Sequence, residues 1–137
     1  MRIFLDANIL FSASKSEGAI RRLLVLLDKA GHECCVDGYV IDEARRNLVA
    51  KTPGGGAMLE KLLSRMKTAS VQHHRSPALE ASLPLHPKDR PVLAAAIHQG
   101  CDVLVTGDRT HFGALYGRTI NGVTIHSPRS LAETMLL

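Results

Sequence analysis

The sequence predicts a three-layer α/β domain, in which a central, mostly parallel sheet of about five strands is covered by helices on both faces. Short apolar runs at residues 3–5 and 103–105 have the composition of buried parallel strands. Amphipathic helical segments separate such runs, so strands and helices alternate along the chain. A length of 137 residues fits one domain, so we expect residues 1–137 to fold as a single unit.

The first fifty residues of the chain supply two strands and two helices. Residues 2–5 are predicted as the first strand, and residues 19–30 as a leucine-rich helix that ends at Gly31. Residues 33–36 form the second strand, and a helix runs on from Tyr39. The apolar residues placed near one face of that helix are Val40, Ala44, Leu48 and Val49.

A Thr-Pro-Gly-Gly-Gly segment at residues 52–56 ends this helix, because Pro lacks a backbone donor and glycine imposes no backbone preference. The segment lacks the Lys-Ser/Thr of a phosphate-binding loop, so we interpret it as a flexible connection. A helix at residues 58–66 and a strand at 69–72 follow. Residues 73–87 are polar and rich in proline, and they predict a surface connection with an extended piece near residues 83–85.

The last third of the chain continues the alternation. Pro91 and Gly100 frame a strongly apolar helix, because Pro suits the first turn of a helix and Gly the position after its end. The remaining predicted elements are a strand at 102–106, a helical segment at 111–116, a strand at 123–126 and a terminal helix opened by Ser127.

Composition limits the function classes. Apolar residues make up 45% and charged residues 22%, which excludes a disordered chain. No apolar run approaches the roughly 18–20 residues that span a bilayer, so we expect a cytoplasmic protein without a membrane partner. The net charge of +4 and pI of about 9.2 fit a polyanionic partner. The three cysteines, Cys34, Cys35 and Cys101, have neither zinc nor disulfide spacing and are interpreted as small buried residues.

Four carboxylates stand where predicted elements begin or end. Asp6 and Asp108 follow strands, while Glu43 and Asp89 lie near helix starts. Since the carboxyl ends of parallel strands open on one edge of the sheet, these side chains should converge there. Each also has a structural explanation, as a helix cap, a turn residue or a charge in the first turn of a helix.

Convergence makes a cation the more consistent explanation. Two unit charges about 4 Å apart repel by about 4 kcal/mol at an effective dielectric constant of 20. Oxygen ligands favour Mg²⁺ or Mn²⁺ over zinc, and such a site can hydrolyse a phosphodiester. No zinc-binding histidine motif occurs, and for His111, the one histidine expected near the site, packing or a helix role is favoured over catalysis.

Four segments of the chain together resemble PIN-domain ribonucleases. They are Arg2-Ile-Phe-Leu-Asp6-Ala-Asn8, Asp42-Glu43-Ala-Arg-Arg46, Lys88-Asp89-Arg-Pro91 and Thr106-Gly-Asp108-Arg-Thr-His111. The match covers essentially the whole chain and is nearest to the stand-alone prokaryotic type, the VapC-like toxin components of toxin–antitoxin pairs. It implies an α/β/α fold that cleaves single-stranded RNA with Mg²⁺ or Mn²⁺, a small antitoxin as partner, and homodimers, which are common in the family.

The resemblance also assigns residues. It implies that Asp6, Glu43, Asp89 and Asp108 hold the metal, directly or through water, and that a metal-bound water is the nucleophile. Asn8 and Thr106 are the supporting polar groups. The motif alignment selects Glu43 over its neighbour Asp42. Many relatives carry a further carboxylate shortly after the position of Asp108, where this chain has Thr110-His111, so the number of metals stays open.

Basic residues near the predicted ligands are candidates for RNA phosphate contacts. They are Arg45, Arg46, Lys51, Lys88, Arg90 and Arg109. Few aromatic residues are available to stack bases, so recognition would rest on shape and backbone contacts.

Two other functions would also use a fold of this class. The first is a PIN-like module that binds RNA or a protein without cutting; four carboxylates facing phosphates count against it. The second is a phosphatase with Asp6 as nucleophile, for which haloacid-dehalogenase-type enzymes require a second Asp where this chain has Asn8.

Overall fold

The computed structural model describes residues 1–69 and 76–136. Six strands of this part of the chain form one sheet. They are β1 (Arg2–Leu5), β2 (Glu33–Asp37), β3 (Lys67–Ala69), β4 (Val103–Val105), β5 (Thr119–Ile120) and β6 (Val123–His126). Their order is β3-β2-β1-β4-β6-β5, and each neighbouring pair is parallel except β5 with β6. The mostly parallel α/β architecture is confirmed, with six strands where about five were predicted.

Eight α-helices accompany the sheet within the described residues. They are α1 (Ala7–Lys15), α2 (Ala19–Lys29), α3 (Gly38–Lys51), α4 (Gly56–Leu63), α5 (Pro77–Ser82), α6 (Arg90–His98), α7 (Arg109–Phe112) and α8 (Pro128–Met135). The chain steps from β1 to β2 in one direction across the sheet and from β3 to β4 in the other. Right-handed crossovers therefore place α1 and α2 on the opposite face from α6.

The two central strands determine where the site lies. All three residues of β4 are buried, and β1 is buried from Ile3 onward, as expected for strands covered on both faces. Leu5 is in register with Val105, so both strands end side by side. The backbone amide of Asp6 continues the pairing by donating to the carbonyl of Val105 at 3.1 Å. Whatever follows these strands in sequence therefore starts from one edge of the sheet.

Helix α1 was not predicted. The Asp6 side chain accepts a hydrogen bond from the amide of Ala7 and caps the helix, and Ile9, Leu10 and Ala13 form its buried face. The serines in its second half weaken helix propensity, because their hydroxyls compete for backbone groups. Burial of the apolar face stabilises the helix despite this composition.

The glycine-rich segment is packed, which contradicts its interpretation as a flexible connection. Pro53–Gly55 forms a 3₁₀ turn that leads directly into α4. Gly55 is buried, and a Cβ placed on it would lie 2.6 Å from Cδ2 of Leu48. A side chain at this position would therefore require the buried side chain of Leu48 to move.

Other boundaries differ in smaller ways. Val49 is 77% exposed, so it does not share the buried face of Val40, Ala44 and Leu48. Residues 77–82 form a helix inside the predicted connection, and strand β5 was not predicted. Residues 70–72 of the predicted third strand and 73–75 of the connection lie outside the described residues.

The cysteines follow the sequence interpretation. Cys34, Cys35 and Cys101 are buried and free, and burial raises the pKa of Cys34 to about 12. A thiol with such a pKa is inert as a nucleophile. None of the helices in the described ranges is long and apolar enough to cross a membrane.

Candidate metal centre

Asp6 is the most buried of the four predicted ligands, with 5% of its surface exposed. Its Oδ1 accepts from the amide of Ala7 at 2.7 Å, and its Oδ2 accepts from the hydroxyl of Thr106 at 2.8 Å and from Nδ2 of Asn8 at 3.2 Å. Burial raises the pKa of the Asp6 carboxyl to about 6, although the hydrogen bonds from Thr106 and Ala7 oppose the shift. A buried carboxylate in this state is stabilised by a nearby positive charge.

Asn8 and Thr106, which were predicted as supporting polar groups, link the two strand ends by hydrogen bonds. The amide of Gly107 donates to Oδ1 of Asn8 at 2.8 Å, and Nδ2 of Asn8 donates to Oγ1 of Thr106 at 3.3 Å. The same Thr106 oxygen accepts from the amide of Asp108 at 3.1 Å. The backbone that carries Asp108 is thus oriented by groups that also bind Asp6.

Asp89 and Asp108 meet at the ring of His111. Nδ1 of His111 lies 2.8 Å from Oδ2 of Asp108 and 3.4 Å from Oδ2 of Asp89. Each of the three residues offers one ligand atom, and these atoms all lie within 4.8 Å of one another. Atoms bound to one cation by bonds of about 2 Å lie at most about 4 Å apart, so a small approach of these three groups would let a single cation contact them all.

Glu43 approaches the same region from α3. Its charge, like that of Asp108, raises the pKa of Asp6, which places both carboxylates within electrostatic range of that residue. Glu43 is half-buried and its neighbour Asp42 is exposed, as expected for adjacent helical residues that point about 100° apart. The metal-binding roles of Asp6, Glu43, Asp89 and Asp108 remain predictions, although electrostatic or direct contacts link these residues.

The structural explanations for these carboxylates hold only in part. Asp6 and Asp108 do cap α1 and α7. Asp89 occupies the capping position of α6 but makes no capping hydrogen bond. Glu43 lies in the second turn of α3, which starts at Gly38, so its placement in the first turn was wrong. The favourable effect of the helix dipole decays within the first turn and therefore does not explain Glu43.

The donor set fits a divalent cation. Asp89 is 9% exposed, and its Oδ2 is buried and accepts no hydrogen bond from the described residues. An ionised oxygen without a partner costs free energy unless a positive charge compensates it. Carboxylate oxygens around one point, with a single nitrogen nearby, are ligands that Mg²⁺ and first-row divalent metals accept.

Three groups at the site have contacts that were not predicted from the sequence. His111 contacts two of the predicted ligands, so a packing or helix role does not describe it fully. The ring of His86 stacks on that of His111 with centroids 6.4 Å apart, so His111 is not the only histidine near the site. Tyr116 donates its hydroxyl to the carbonyl of Thr106 at 2.8 Å. The one local signal was the three-residue spacing of Asp108 and His111.

The predicted RNA contacts are unequally available. Arg45 pairs with Glu60 at 2.5 Å, and Nε of Arg90 donates to the carbonyl of Leu85 at 2.8 Å. Lys88 and Arg109 are both exposed. Lys88 directly precedes Asp89, and Arg109 directly follows Asp108. The remaining two candidates, Arg46 and Lys51, are exposed on α3.

The comparison with known families agrees with the resemblance found in the sequence. The PIN domain family profile matches residues 2–110, which is most of the chain. The protein therefore belongs to the PIN domain family. No curated protein matches at the level of significance required.

Solved structures share the fold at low sequence identity. VapBC from Salmonella typhimurium, bound to DNA, matches with a TM-score of 0.65 at 20% identity, over 93% of this chain and 98% of that one. VapBC2 from Rickettsia felis, bound to a promoter DNA fragment, matches with a TM-score of 0.63 at 18% identity and the same coverage. VapBC-1 from nontypeable Haemophilus influenzae gives 0.61 at 14% identity over 94% and 99%. These matches establish the likeness of fold.

Proposed function

We propose that this protein is a metal-dependent endoribonuclease that cuts single-stranded RNA and acts as the toxin of a toxin–antitoxin pair. The observation that carries the proposal is the buried Oδ2 of Asp89, which lacks a hydrogen-bond donor and faces the Asp108–His111 contact. Membership in the PIN domain family supports a nuclease, and the link from Asp6 through Thr106 to Asp108 supports a preorganised site.

The side chains would have different roles, either binding the cation or orienting a residue that binds it. Asp89 and Asp108 would hold the cation directly, while the more buried Asp6 would bind it directly or through water. Asn8 and Thr106 fix Asp6 by hydrogen bonds and so exclude other orientations of its carboxylate. When bound, Mg²⁺ or Mn²⁺ would neutralise the charge of the phosphate and lower the pKa of a water molecule. Glu43 adds negative charge from α3. This charge would strengthen the electrostatic attraction of the site for the cation.

An RNA substrate is supported by the charges outside the acidic pocket. Exposed Lys88 and Arg109 stand next to the ligands Asp89 and Asp108, where they can contact phosphates that flank the cleaved bond. Only 4% of the residues are aromatic, so base stacking contributes little. Single-stranded RNA is the substrate that can bend its backbone into a pocket at the edge of a sheet.

The role as a toxin draws on the structures of similar fold. Those from Salmonella and Rickettsia contain VapBC bound to DNA, and a small antitoxin is accordingly the partner proposed here. A homodimer and a cytoplasmic location belong to the same proposal.

Cleavage of a labelled single-stranded RNA by the purified protein tests the activity. We expect cleavage with Mg²⁺ or Mn²⁺, none with EDTA, and a fall of at least about 100-fold in Glu43→Gln, because the charge that faces Asp6 is removed. Asp42→Asn is the matched control, since it removes one charge from the exposed side of the same helix. Robust cleavage in EDTA would overturn the mechanism.

A binding module that does not cut RNA predicts a different result. It would bind RNA equally well with EDTA and release no products. The toxin role has its own test, in which induced expression should arrest bacterial growth and co-expression of the neighbouring small gene should restore it. Cleavage without growth arrest would favour a general role in RNA processing.

A further inference from the structure

We propose that Nδ1 of His111 is a ligand of the bound metal, together with Asp89 and Asp108, and that the site consequently prefers Mn²⁺ to Mg²⁺. The inference rests on the metal-dependent function proposed above and adds a nitrogen ligand to it. It replaces the expectation of an all-oxygen site, for which the two metals would be nearly equivalent.

The position of the ring nitrogen is the first observation. Nδ1 of His111 lies between two carboxylates, 2.8 Å from Oδ2 of Asp108 and 3.4 Å from Oδ2 of Asp89. A ligand atom from each residue falls within 4.8 Å of the others. A cation that draws the two carboxylate oxygens together would therefore have this nitrogen within reach.

The state of Asp89 is an independent observation. Its residue is 9% exposed, and Oδ2 is buried without a hydrogen bond from any group of the described residues. The oxygen nevertheless faces Nδ1 of His111 at 3.4 Å, which is long for a charge-assisted hydrogen bond. Buried carboxylate oxygens are normally paired, so this geometry suits an oxygen that binds a cation.

Two neighbouring groups orient His111. Its backbone amide donates to Oδ1 of Asp108 at 3.1 Å, which fixes the start of α7 relative to the carboxylate. The ring of His86 lies nearly parallel to that of His111, at an interplanar angle of 25° and with the centroids 6.4 Å apart. His86 is itself oriented, because its Nδ1 accepts from the amide of Lys88 at 3.2 Å. Ligands held by surrounding groups in this way are typical of metal sites.

The chemistry of the donors gives the metal preference. Mg²⁺ binds oxygen ligands and dehydrates reluctantly, so an imidazole adds little to its affinity. First-row divalent metals gain affinity from nitrogen donors, in the order that rises from Mn²⁺ to Cu²⁺. A site with two carboxylates and one imidazole is therefore expected to favour Mn²⁺ over Mg²⁺.

The competing interpretation is that His111 only bridges the two carboxylates as a hydrogen-bond donor. In that case its positive charge or its N–H would occupy the space of the cation. The two interpretations predict opposite effects when the ring is removed, because loss of a ligand weakens metal binding and loss of a competitor tightens it.

Metal titration of the full chain separates them. Mn²⁺ and Mg²⁺ affinities are measured by calorimetry for the unmodified protein, for His111→Asn and for His32→Ala. Asn keeps an N–H donor for Asp108 but lacks the imidazole, while His32 lies at the opposite end of the sheet beside the amino terminus. We expect Mn²⁺ binding to weaken by at least about 10-fold in His111→Asn, Mg²⁺ binding to change less than threefold, and His32→Ala to bind as the unmodified protein does.

A spectroscopic measurement does not depend on any variant. Electron spin echo modulation from bound Mn²⁺ should contain the ¹⁴N frequencies of a coordinated imidazole, and His111→Asn should lose them while His32→Ala keeps them. Bound Mn²⁺ without nitrogen coupling, or unchanged or tighter Mn²⁺ binding in His111→Asn, would overturn the inference and leave the proposed nuclease standing. Failure of the unmodified protein to bind either metal would overturn both.

Discussion

The hydroxyl of Thr106 donates a 2.8 Å hydrogen bond to Oδ2 of Asp6, a residue 100 positions earlier in the chain. The contact joins the carboxyl ends of β1 and β4, and Oγ1 also accepts from the amide of Asp108. One buried oxygen atom thus positions two of the proposed metal ligands.

Replacing Thr106 with Val tests this role. The change removes the donor to Asp6 and leaves the Asp108 amide without its acceptor, so the free energy of unfolding should fall by about 1–3 kcal/mol. Chemical denaturation measures the loss, and metal affinity should weaken in parallel. Thr106→Ser keeps the hydroxyl and should retain most of both properties. An unchanged free energy of unfolding in Thr106→Val would exclude this role of the hydroxyl.

The stability of the metal-free protein should depend on the charge of Asp6. Burial raises the pKa of this carboxyl from 3.8 to about 6, so its contribution is most favourable below pH 4 and is lost as the pH rises through 6. The shift corresponds to about 3 kcal/mol. In EDTA, Asp6→Asn should therefore be more stable than the unmodified protein at pH 8, with a difference that shrinks towards pH 4. A difference independent of pH would exclude this explanation.

Bound metal should stabilise the fold through Asp89. At a concentration of about 100 times the dissociation constant, Mn²⁺ raises the free energy of unfolding by about 2.7 kcal/mol. Asp89→Asn should lose most of this gain in thermal denaturation experiments. Asp102→Asn is the control: Asp102 accepts from the amide of Arg2 at 2.9 Å at the other end of β4, so the metal increment should persist there. An undiminished increment in Asp89→Asn would place the metal elsewhere.

A side chain at position 55 should destabilise the fold. A Cβ there would lie 2.6 Å from Cδ2 of Leu48, which is 2% exposed, so Gly55→Ala should destabilise the protein by about 1–3 kcal/mol. Gly54→Ala meets nothing within 4 Å and should change stability by less than about 0.5 kcal/mol. Urea denaturation of both variants measures the contrast, and equal stabilities would mean that the turn moves away from α3 at little cost.

RNA affinity should depend on Arg109 more than on Arg45. Arg109 is exposed beside Asp108, whereas Arg45 is already paired with Glu60. Arg109→Ala should weaken RNA binding and reduce the slope of log affinity against log salt concentration by about 1. Fluorescence anisotropy at several salt concentrations compares Arg109→Ala with Arg45→Ala, and a larger loss in Arg45→Ala would move the RNA path towards α3.

The architecture was predictable because its signals are local. Apolar runs identified β1, β4 and β6, and proline and glycine framed α6. Strand β5 also had a local signal that was overlooked. Asn121 and Gly122, with φ angles of 48° and 85°, make the two-residue turn that joins β5 to β6, as expected for Asn-Gly in a hairpin.

The site was predictable to the extent that strand order determines it. The ends of β1 and β4 meet in any sheet where these strands are neighbours, which brings Asp6, Thr106 and Asp108 together. The approach of His111 to Asp89 depends on the orientation of the short helix α7 relative to α6, and no sequence pattern encodes that packing. The burial of Gly55 depends likewise on a tertiary contact with Leu48.

The pairing of β1 with β4 also sets an order of events during synthesis. Asp6 is synthesised about a hundred residues before its partners Thr106 and Asp108. A nascent chain therefore carries an incomplete pocket until Asp108 has been added. A ribosome that makes this protein would be exposed to the assembled acidic centre only after residue 108 has emerged.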